Sequence, residues 1–308
     1  MSPPFIGRDI EPHLDWLALT DALAAGHDLP KAQIGDTFLY RRDDTLLGRS
    51  AWIDGLGLAV KTATIFPRNP DAGLPVVGGA VSVFSDETGV IEAFFDFALV
   101  TKWKTAGDSL LAARKLAPRR TEKILIAGAG VVAESLREAY GVLFPSANFT
   151  VWARNPARAA ALAERFPATQ AAPGLEAAVR EADIVSCATM ATDPLIEGAW
   201  LRPGQHIDLI GAYRPDMREA DDDVLRRGQL FVDSRDTTLE HIGELKIPLA
   251  QGVIQPSDVV ADYYDLARFT RAPEDITVFK NGGGAHLDLM TCRYILAAHR
   301  SATAKAGA

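Results

Sequence analysis

The sequence predicts an α/β protein in which a doubly wound parallel sheet is joined to a second, β-rich α+β domain. Three observations support this prediction. After about residue 120, apolar strand-like runs alternate with helical segments, which is typical of a parallel sheet covered by helices. Before about residue 105, short β-like runs are separated by turn signals, which indicates a largely antiparallel region. The length of 308 residues also exceeds the usual size of one domain.

The first part of the chain supplies the antiparallel runs and one helix. Predicted strands cover Thr45 to Ile53, Leu56 to Ile65 and Ala80 to Phe84. An Ala- and Leu-rich helix covers Asp108 to Leu116. We predict that residues 1–112 and 286–308 form the substrate-binding and dimerisation domain.

The second part of the chain alternates strands with helices. Predicted strands are the run that begins at Lys123, Phe149 to Ala153, Ile184 to Ala188, His206 to Ile210 and Ile276 to Phe279. Predicted helices are Val131 to Tyr140, Ala157 to Phe166, Leu175 to Glu181 and Ala285 to His299. We predict that residues 113–285 form a nucleotide-binding domain.

A glycine-rich turn links the first strand of this region to its first helix. The turn is Gly128-Ala129-Gly130-Val131, and a small residue, Ala133, follows in the helix. In a dinucleotide-binding (Rossmann) unit, the first glycine permits the tight turn and the second lets the backbone approach a pyrophosphate, which then faces the helix N-terminus. Glycine turns also end ordinary strands, but here the expected strand and helix flank the motif. The sequence therefore predicts a dinucleotide cofactor.

Positive charge follows the second strand of the unit. Where an NAD enzyme usually has a carboxylate for the ribose hydroxyls, this chain has Arg154, Asn155 and Arg158. A guanidinium can bind a 2′-phosphate through two hydrogen bonds. NADP(H) is therefore the preferred cofactor and NAD(H) a possible one; the alternative is that both arginines are solvated charges at a helix start.

Composition narrows the classes of partner. A formal charge of −8 and a pI near 5.3 argue against nucleic acid or an anionic membrane as the main partner. The N-terminus has no secretory pattern and no apolar run is long enough to span a bilayer, so we expect a cytoplasmic protein. Cys187 and Cys292 lack metal-binding spacing and are interpreted as buried thiols, and no metal site is predicted.

Several segments together resemble the ornithine cyclodeaminase and mu-crystallin family. They occur in family order and are Lys61 to Asn69, Gly73 to Pro75, Asp86 to Gly89, Lys104 to Ser109, Gly128 to Gly130, Gly211 to Glu219, Val232 to Ser234 and Thr277 to Lys280. The resemblance implies a homodimer in which both chain ends build the substrate domain around an inserted Rossmann domain. Family activities include ornithine cyclisation, alanine dehydrogenation and reduction of cyclic imino acids.

The resemblance implies a substrate carboxylate site. In the family, the lysine that matches Lys61 binds this carboxylate beside the nicotinamide. A lysine inside an apolar strand is costly to bury unless an anion compensates its charge; the alternative is an outward lysine on an exposed face. Lys104 stands where many members have arginine, so it keeps the charge but loses the two-pronged geometry. The family also has an arginine near the start of this domain, with which Arg41, Arg42 and Arg49 do not align cleanly. Arg49 is the candidate for this role, and the other two are interpreted as surface charges.

Other positions follow from the same resemblance. Cofactor contacts are implied at Thr105, Thr189, Ala212 and Lys280. In ornithine cyclodeaminases, an aspartate that handles the substrate amine occupies the position of Tyr213. The absence of this aspartate argues against cyclodeamination. Tyr213 could orient the imine through its hydroxyl or cover the ring, and we favour the covering role because a phenol is a reluctant acid at neutral pH.

The sequence therefore favours an NADPH-dependent reductase of a cyclic imino acid. Δ1-pyrroline-2-carboxylate, giving L-proline, is the expected substrate, and Δ1-piperideine-2-carboxylate, giving L-pipecolate, is a second. Three alternatives stay open: an ornithine cyclodeaminase that uses NAD, an alanine-type amino acid dehydrogenase, and a non-catalytic protein that binds ligand in an NADPH-dependent way.

Overall fold

The computed structural model describes residues 2–306 of the chain. They form two compact units, one made of the residues up to Lys104 together with those from Gly283 onward, and the other of Thr105–Gly282. We call these unit 1 and unit 2. Each unit contains one sheet, and the α/β fold class with a parallel sheet and a further sheet is confirmed.

Unit 1 is built on a mostly antiparallel sheet. Its strands are β1 (Phe5–Ile6), β2 (Gln33–Arg41), β3 (Asp44–Ile53), β4 (Gly57–Ile65), β5 (Val77–Phe84) and β6 (Ile91–Asp96), and its helices include α1 (Trp16–His27). The strand order is β1-β6-β5-β4-β3-β2, in which β1 is parallel to β6 and the other pairs are antiparallel. The predicted antiparallel region is therefore confirmed, although the sequence pattern did not indicate α1.

Helix α2 (Phe97–Leu116) is longer than the predicted helix, and the last helix of the chain (Ala285–Ala306, numbered α9 below) extends beyond His299. The division between the two units falls inside α2, between Lys104 and Thr105. The predicted boundary at 112/113 falls within the same helix. The roles assigned to the two domains stay predictions.

Strand β4 has opposite surroundings on its two faces. Ala59, Lys61 and Ala63 are buried, whereas Val60 is 38% exposed. Such alternation follows from the two-residue period of a strand. The last helix packs against α1, β3 and β4. The small side chains and the lysine on the buried face of β4 therefore face this helix.

Unit 2 contains a parallel sheet of the Rossmann type with helices between its strands. The elements are β7 (Lys123–Ala127), α3 (Val131–Leu143), β8 (Asn148–Trp152), α4 (Pro156–Ala163), β9 (Thr169–Ala171), α5 (Leu175–Glu181), β10 (Ile184–Cys187), β11 (His206–Leu209), α6 (Asp222–Arg227), β12 (Gln229–Val232), α7 (Arg235–Thr238), α8 (Gly243–Ala250), β13 (Val259–Ala261) and β14 (Thr277–Lys280), before α9 (Ala285–Ala306). The order is β13-β12-β14-β11-β10-β7-β8-β9, with all pairs parallel.

The order of the strands identifies the edge at which a ligand would bind. β7 lies between β10 on one side and β8 on the other, and the connections diverge at this point. In open parallel sheets, ligands bind beyond the carboxyl ends of the strands at such a switch point. The core below this edge is apolar and includes Leu125, Val185, Ile207, Val232 and Val278. Within residues 2–306, no helix is both long and apolar enough to cross a membrane.

Candidate active site

Lys61 points into the interior of unit 1. Its Nζ donates hydrogen bonds to Asp288 Oδ1 at 3.0 Å and to Thr101 Oγ1 at 3.0 Å, and lies 4.7 Å from the centre of the Phe97 ring. The burial of this lysine, which sequence reasoning considered against an exposed position, is therefore observed. The anion that compensates its charge is Asp288 of the same chain.

Two further cations lie beside this ion pair. Lys104 is buried in α2, donates to the carbonyl of Gly283 at 3.0 Å and lies 4.0 Å from Asp288 Oδ1. Arg49 occupies the position on β3 opposite Lys61 on β4, donates to the same carbonyl at 3.1 Å and pairs with Asp36 at 2.9 Å. The structure thus brings the three predicted substrate residues together.

Asp288 remains a carboxylate in this setting. Burial favours the neutral acid, but the charges of Lys61, Lys104 and Arg49 outweigh burial and hold the pKa of Asp288 below its usual 3.8. Sequence reasoning missed this residue because an aspartate in the first turn of a helix is the usual complement of the helix dipole. Its place after three glycines, where a helix begins, was the available signal.

Cationic side chains gather around Asp288 in this cluster. Lys61, Lys104 and Arg49 all act on its carboxylate. Because the two lysines and Asp288 are buried, their charges are weakly screened by water. Two buried ammonium groups in one place can hold one carboxylate of a ligand.

The glycine turn of unit 2 has the geometry that a pyrophosphate requires. Gly128 has a φ of +131°, and a Cβ there would lie 2.6 Å from the carbonyl oxygen of Ala188. Gly130 precedes α3, provides no side-chain cap, and has open space where a Cβ would be. Ala133 is fully buried at the contact between helix and sheet. The amides at the start of α3 thus face space that an anion can occupy.

The predicted 2′-phosphate residues differ in their surroundings. Arg154 is exposed after β8 and makes no ion pair with any residue that the structure describes. Arg158 is also exposed, and its Nη2 donates to the carbonyl of Ala129 at 3.4 Å, which brings it to the glycine turn. Asn155 caps α4 by accepting from the Ala157 amide at 3.0 Å. Val131 is 75% exposed at the same turn.

The other predicted cofactor residues lie near the carboxyl edge of the sheet, in internal contacts. Thr189 and Ala212 follow β10 and β11, and their amides donate to the Glu219 carboxylate. Lys280 is buried at the end of β14 and donates to the carbonyl of Leu209 at 3.0 Å.

Thr105 lies in α2, and its carbonyl accepts from the side chain of Asn281 at 3.0 Å. Their contacts with a cofactor stay predictions.

Tyr213 lies on the segment after β11 and is 57% exposed. The two carboxylates near it in sequence, Asp216 and Asp208, bind other side chains. Asp216 is exposed and pairs with Arg214 at 3.0 Å. Asp208 is buried in β11 and accepts hydrogen bonds from the hydroxyls of Tyr140, Ser186 and Ser109. Neither replaces an aspartate at position 213.

Comparison with known proteins agrees with this geometry. Residues 53–303 match the ornithine cyclodeaminase/mu-crystallin family. The Delta(1)-pyrroline-2-carboxylate reductase of Paracoccus denitrificans is 50% identical over 304 residues, covering 96% of each chain. The ketimine reductase mu-crystallin of Mus musculus is 30% identical, over 77% of this chain and 75% of that protein.

A solved structure shows the same fold. The Thermococcus litoralis Delta(1)-pyrroline-2-carboxylate reductase in complex with NADH and L-proline superimposes with a TM-score of 0.87 at 24% identity, covering 97% of this chain and 98% of that chain. The fold and the glycine turn define a Rossmann-type unit for a dinucleotide cofactor, and the named reductases among the relatives make the class of protein an oxidoreductase. The chain belongs to the ornithine cyclodeaminase/mu-crystallin family.

Proposed function

We propose that the protein uses NADPH to reduce the C=N bond of a cyclic imino acid. The first substrate is Δ1-pyrroline-2-carboxylate, which gives L-proline, and the second is Δ1-piperideine-2-carboxylate, which gives L-pipecolate. The observation that carries the proposal is the buried cluster of Lys61, Lys104 and Asp288, in which two lysine ammonium groups lie within 4.0 Å of one carboxylate oxygen and suit a substrate with one carboxylate. The half-identical pyrroline-2-carboxylate reductase supports the same substrate class.

The side chains of unit 1 bind and orient the substrate. Lys61 and Lys104 hold the substrate carboxylate. Arg49 adds positive potential while its guanidinium remains hydrogen-bonded to Asp36 and to the Gly283 carbonyl. Since the pKa of Asp288 is lowered, this carboxylate does not supply the proton, and its charge balances that of Lys61. The substrate thus brings its proton on nitrogen, as the iminium formed in solution.

Bound NADPH would supply the hydride for the imine carbon and would itself become NADP⁺. The residues of this chain that would hold it are the amides at Gly130 and Val131 for the pyrophosphate and the guanidinium groups of Arg154 and Arg158 for the 2′-phosphate. Asn155 caps α4 with its side-chain oxygen, so only its amide nitrogen would donate to the same phosphate. The exposed position of Arg154, with no ion pair to any residue in 2–306, supports the preference for NADPH over NADH.

The substitution Arg154→Ser tests the cofactor preference. We expect the ratio of kcat/KM for NADPH to that for NADH to fall roughly 10- to 100-fold, since a charged hydrogen-bonded pair contributes about 1.5–3 kcal/mol. Arg180→Ser is the matched control, because Arg180 is an exposed arginine of unit 2 that pairs with Glu176. An unchanged ratio in Arg154→Ser would assign the preference to other residues.

The alternatives predict different measurements. An ornithine cyclodeaminase would release ammonia from ornithine with catalytic NAD, and Tyr213 with its neighbours offers no free carboxylate for the substrate amine. An alanine-type dehydrogenase would need pyruvate and ammonia. A binding protein would bind NADPH tightly without turnover of any imino acid.

The decisive experiment follows NADPH absorbance with each cyclic imine and with pyruvate plus ammonia, in parallel with ammonia release from ornithine and NAD. We expect NADPH consumption with pyrroline-2-carboxylate above all other reactants. Ammonia release from ornithine, with no oxidation of NADPH by either imine, would overturn the proposal.

We also propose that the protein forms a homodimer. Trp52 and Val60 project from the outer face of the sheet in unit 1 and are 45% and 38% exposed. Exposed apolar sheet faces are typical of protein–protein contacts. Light scattering of the purified protein measures the mass, and a monomer at micromolar concentration would contradict this part of the proposal.

A further inference from the structure

A buried carboxylate in unit 2 binds the two segments that follow β10 and β11. Glu219 Oε1 accepts from the amide of Thr189 at 2.7 Å and from its hydroxyl at 2.9 Å. Its other oxygen, Oε2, accepts from the amides of Gly211 at 2.6 Å and Ala212 at 3.4 Å. Glu219 itself is fully buried. One side chain thus joins the carboxyl ends of two neighbouring parallel strands.

The two segments are also in direct backbone contact. At Gly211, any Cβ would overlap the carbonyl oxygen and the amide nitrogen of Thr189, so only glycine fits. The two segments therefore touch, and the Glu219 carboxylate fixes the position of the Thr189 segment relative to the Gly211 segment. All four hydrogen bonds use it as an acceptor, which a carboxylate can supply and a neutral amide cannot.

A second carboxylate holds Glu219 in place. Glu244 of α8 accepts from the backbone amide of Glu219 at 2.7 Å and from that of Ala220 at 3.0 Å. Lys280, which donates to the Leu209 carbonyl at 3.0 Å, supplies positive charge that acts on both glutamates. The arrangement is therefore preorganised by two glutamates and one lysine, all buried.

The order of the strands indicates which part of a dinucleotide these segments face. The pyrophosphate turn follows β7, and Arg154, the candidate for the adenosine side, follows β8. β10 and β11 lie on the opposite side of β7. In a doubly wound sheet, the dinucleotide extends across the switch point with its two halves on opposite sides. The segments joined by Glu219 therefore lie on the nicotinamide side.

We propose that Glu219 is the positioning residue for the nicotinamide half of the cofactor, acting through the segments at Thr189 and Gly211–Ala212. This inference rests on the proposed function, since it requires a nicotinamide cofactor. Glu219 does not contact the cofactor; its carboxylate fixes the backbone that does. Lys280 belongs to the same support, which gives it a positioning role in place of a direct cofactor contact.

The substitution Glu219→Gln tests the inference by binding measurements without substrate. Fluorescence titration gives the Kd of NADPH and that of adenosine 2′,5′-bisphosphate, which represents the adenosine half alone. We expect the Kd of NADPH to rise at least tenfold while that of the bisphosphate changes less than twofold. A purely structural role would weaken both ligands alike, because loss of folding does not distinguish the two halves.

Gln205→Ala is the matched control. Gln205 is buried just before β11, at the opposite end of this strand, and donates to the carbonyls of Val179 and Ala182 at 2.7 Å. We expect a lower melting temperature with an unchanged Kd for NADPH. If Glu219→Gln does not fold, Glu244→Gln takes its place, with a smaller loss of affinity that is again confined to NADPH.

The outcomes separate this inference from the proposed function. Wild-type affinity for NADPH in Glu219→Gln, or equal weakening of NADPH and of the bisphosphate, would overturn the inference. A wild-type protein that binds NADPH but reduces no imine would overturn the proposed function alone, since a selective effect of Glu219→Gln on NADPH binding would still be measured.

Discussion

The two units bury charge in opposite ways. In unit 1, the two lysines Lys61 and Lys104 meet one carboxylate, Asp288, side chain to side chain. In unit 2, Glu219 and Glu244 bind mainly backbone amides beside the buried Lys280. The first arrangement gathers ammonium groups that the carboxylate of a ligand can bind, whereas the second holds the chain itself.

The pKa values of the buried acids show the same contrast. Burial and the charge of Glu219 raise the pKa of Glu244 to about 7, and burial raises that of Asp208 to about 6 despite three hydroxyl donors. Asp288 is equally buried, yet nearby cations lower its pKa. Burial alone therefore does not decide the charge state of a carboxylate, since nearby cations can outweigh it.

The substitution Lys61→Met tests the ligand-binding side of this contrast and should have the largest effect. We expect kcat/KM for the cyclic imine to fall about 100-fold or more, or about 2.7 kcal/mol, while NADPH binding stays unchanged. Lys102→Met is the matched control, because this lysine lies on the same helix as Lys104 but pairs with Glu11. Melting curves identify any loss of folding caused by leaving Asp288 without its closest cation. Unchanged imine kinetics would remove the role assigned to Lys61.

Substitutions at the glycine turn test whether unit 2 also has a ligand site beside its internal carboxylates. An added Cβ at Gly130 meets no protein atom, so Gly130→Ala should fold normally. We expect its Kd for NADPH to rise roughly tenfold, about 1.4 kcal/mol, because the methyl group occupies the approach of the pyrophosphate. Gly128→Ala is the comparison and should lower the melting temperature, since its φ is +131° and its Cβ would crowd Ala188. Normal NADPH affinity in Gly130→Ala would contradict the placement of the pyrophosphate.

The pH dependence of stability sharpens the comparison of the acids. Because the pKa of Glu244 rises from 4.5 to about 7 on folding, the folded protein keeps a proton that the unfolded chain has released between these values. The contribution of Glu244 to the free energy of unfolding is therefore fully present below pH 4.5 and is lost as the pH rises through 7. We therefore expect Glu244→Gln to gain stability relative to the wild type from pH 5 to 8, on the order of 1–3 kcal/mol.

Urea unfolding at each pH measures the difference between the two proteins. A constant difference over this range would show that Glu244 does not titrate there. The lowered pKa of Asp288 has the opposite consequence, because its contribution is present above pH 3.8 and is lost on further acidification.

The smallest effect is expected for Tyr213→Phe. The ring stays and only the hydroxyl is lost, so kcat for the imine should change less than about threefold if Tyr213 covers the substrate. Full pH–rate profiles of both proteins provide the check. A fall of about 100-fold with loss of one limb of the profile would instead make the hydroxyl the proton donor.

Much of unit 2 could be predicted from the sequence because its signals are local. The strand at Lys123–Ala127, the glycine turn and the helix at Val131–Leu143 are adjacent in the chain, and each has its own period or turn chemistry. The carboxylate contacts of Glu219 were not predictable, since they depend on amides from separate crossover segments.

In unit 1, the sequence alone determined the presence of the β-rich region and the candidates Lys61, Lys104 and Arg49. It could not determine which face of β4 is buried, because both faces carry apolar residues: Leu58 and Val60 on one, Ala59 and Ala63 on the other. The tertiary structure decided this, since α9 packs on the face with the small side chains.

The packing of α9 against β4 also brings Asp288 to Lys61 across 227 positions of the chain. A local pattern fixes the conformation of a segment, but the partner of a buried charge is fixed only when distant segments pack together. The sequence alone therefore determined the fold class, the dinucleotide turn and the residue types of the site. The tertiary structure decided which charges meet, and so which of them are available for a ligand.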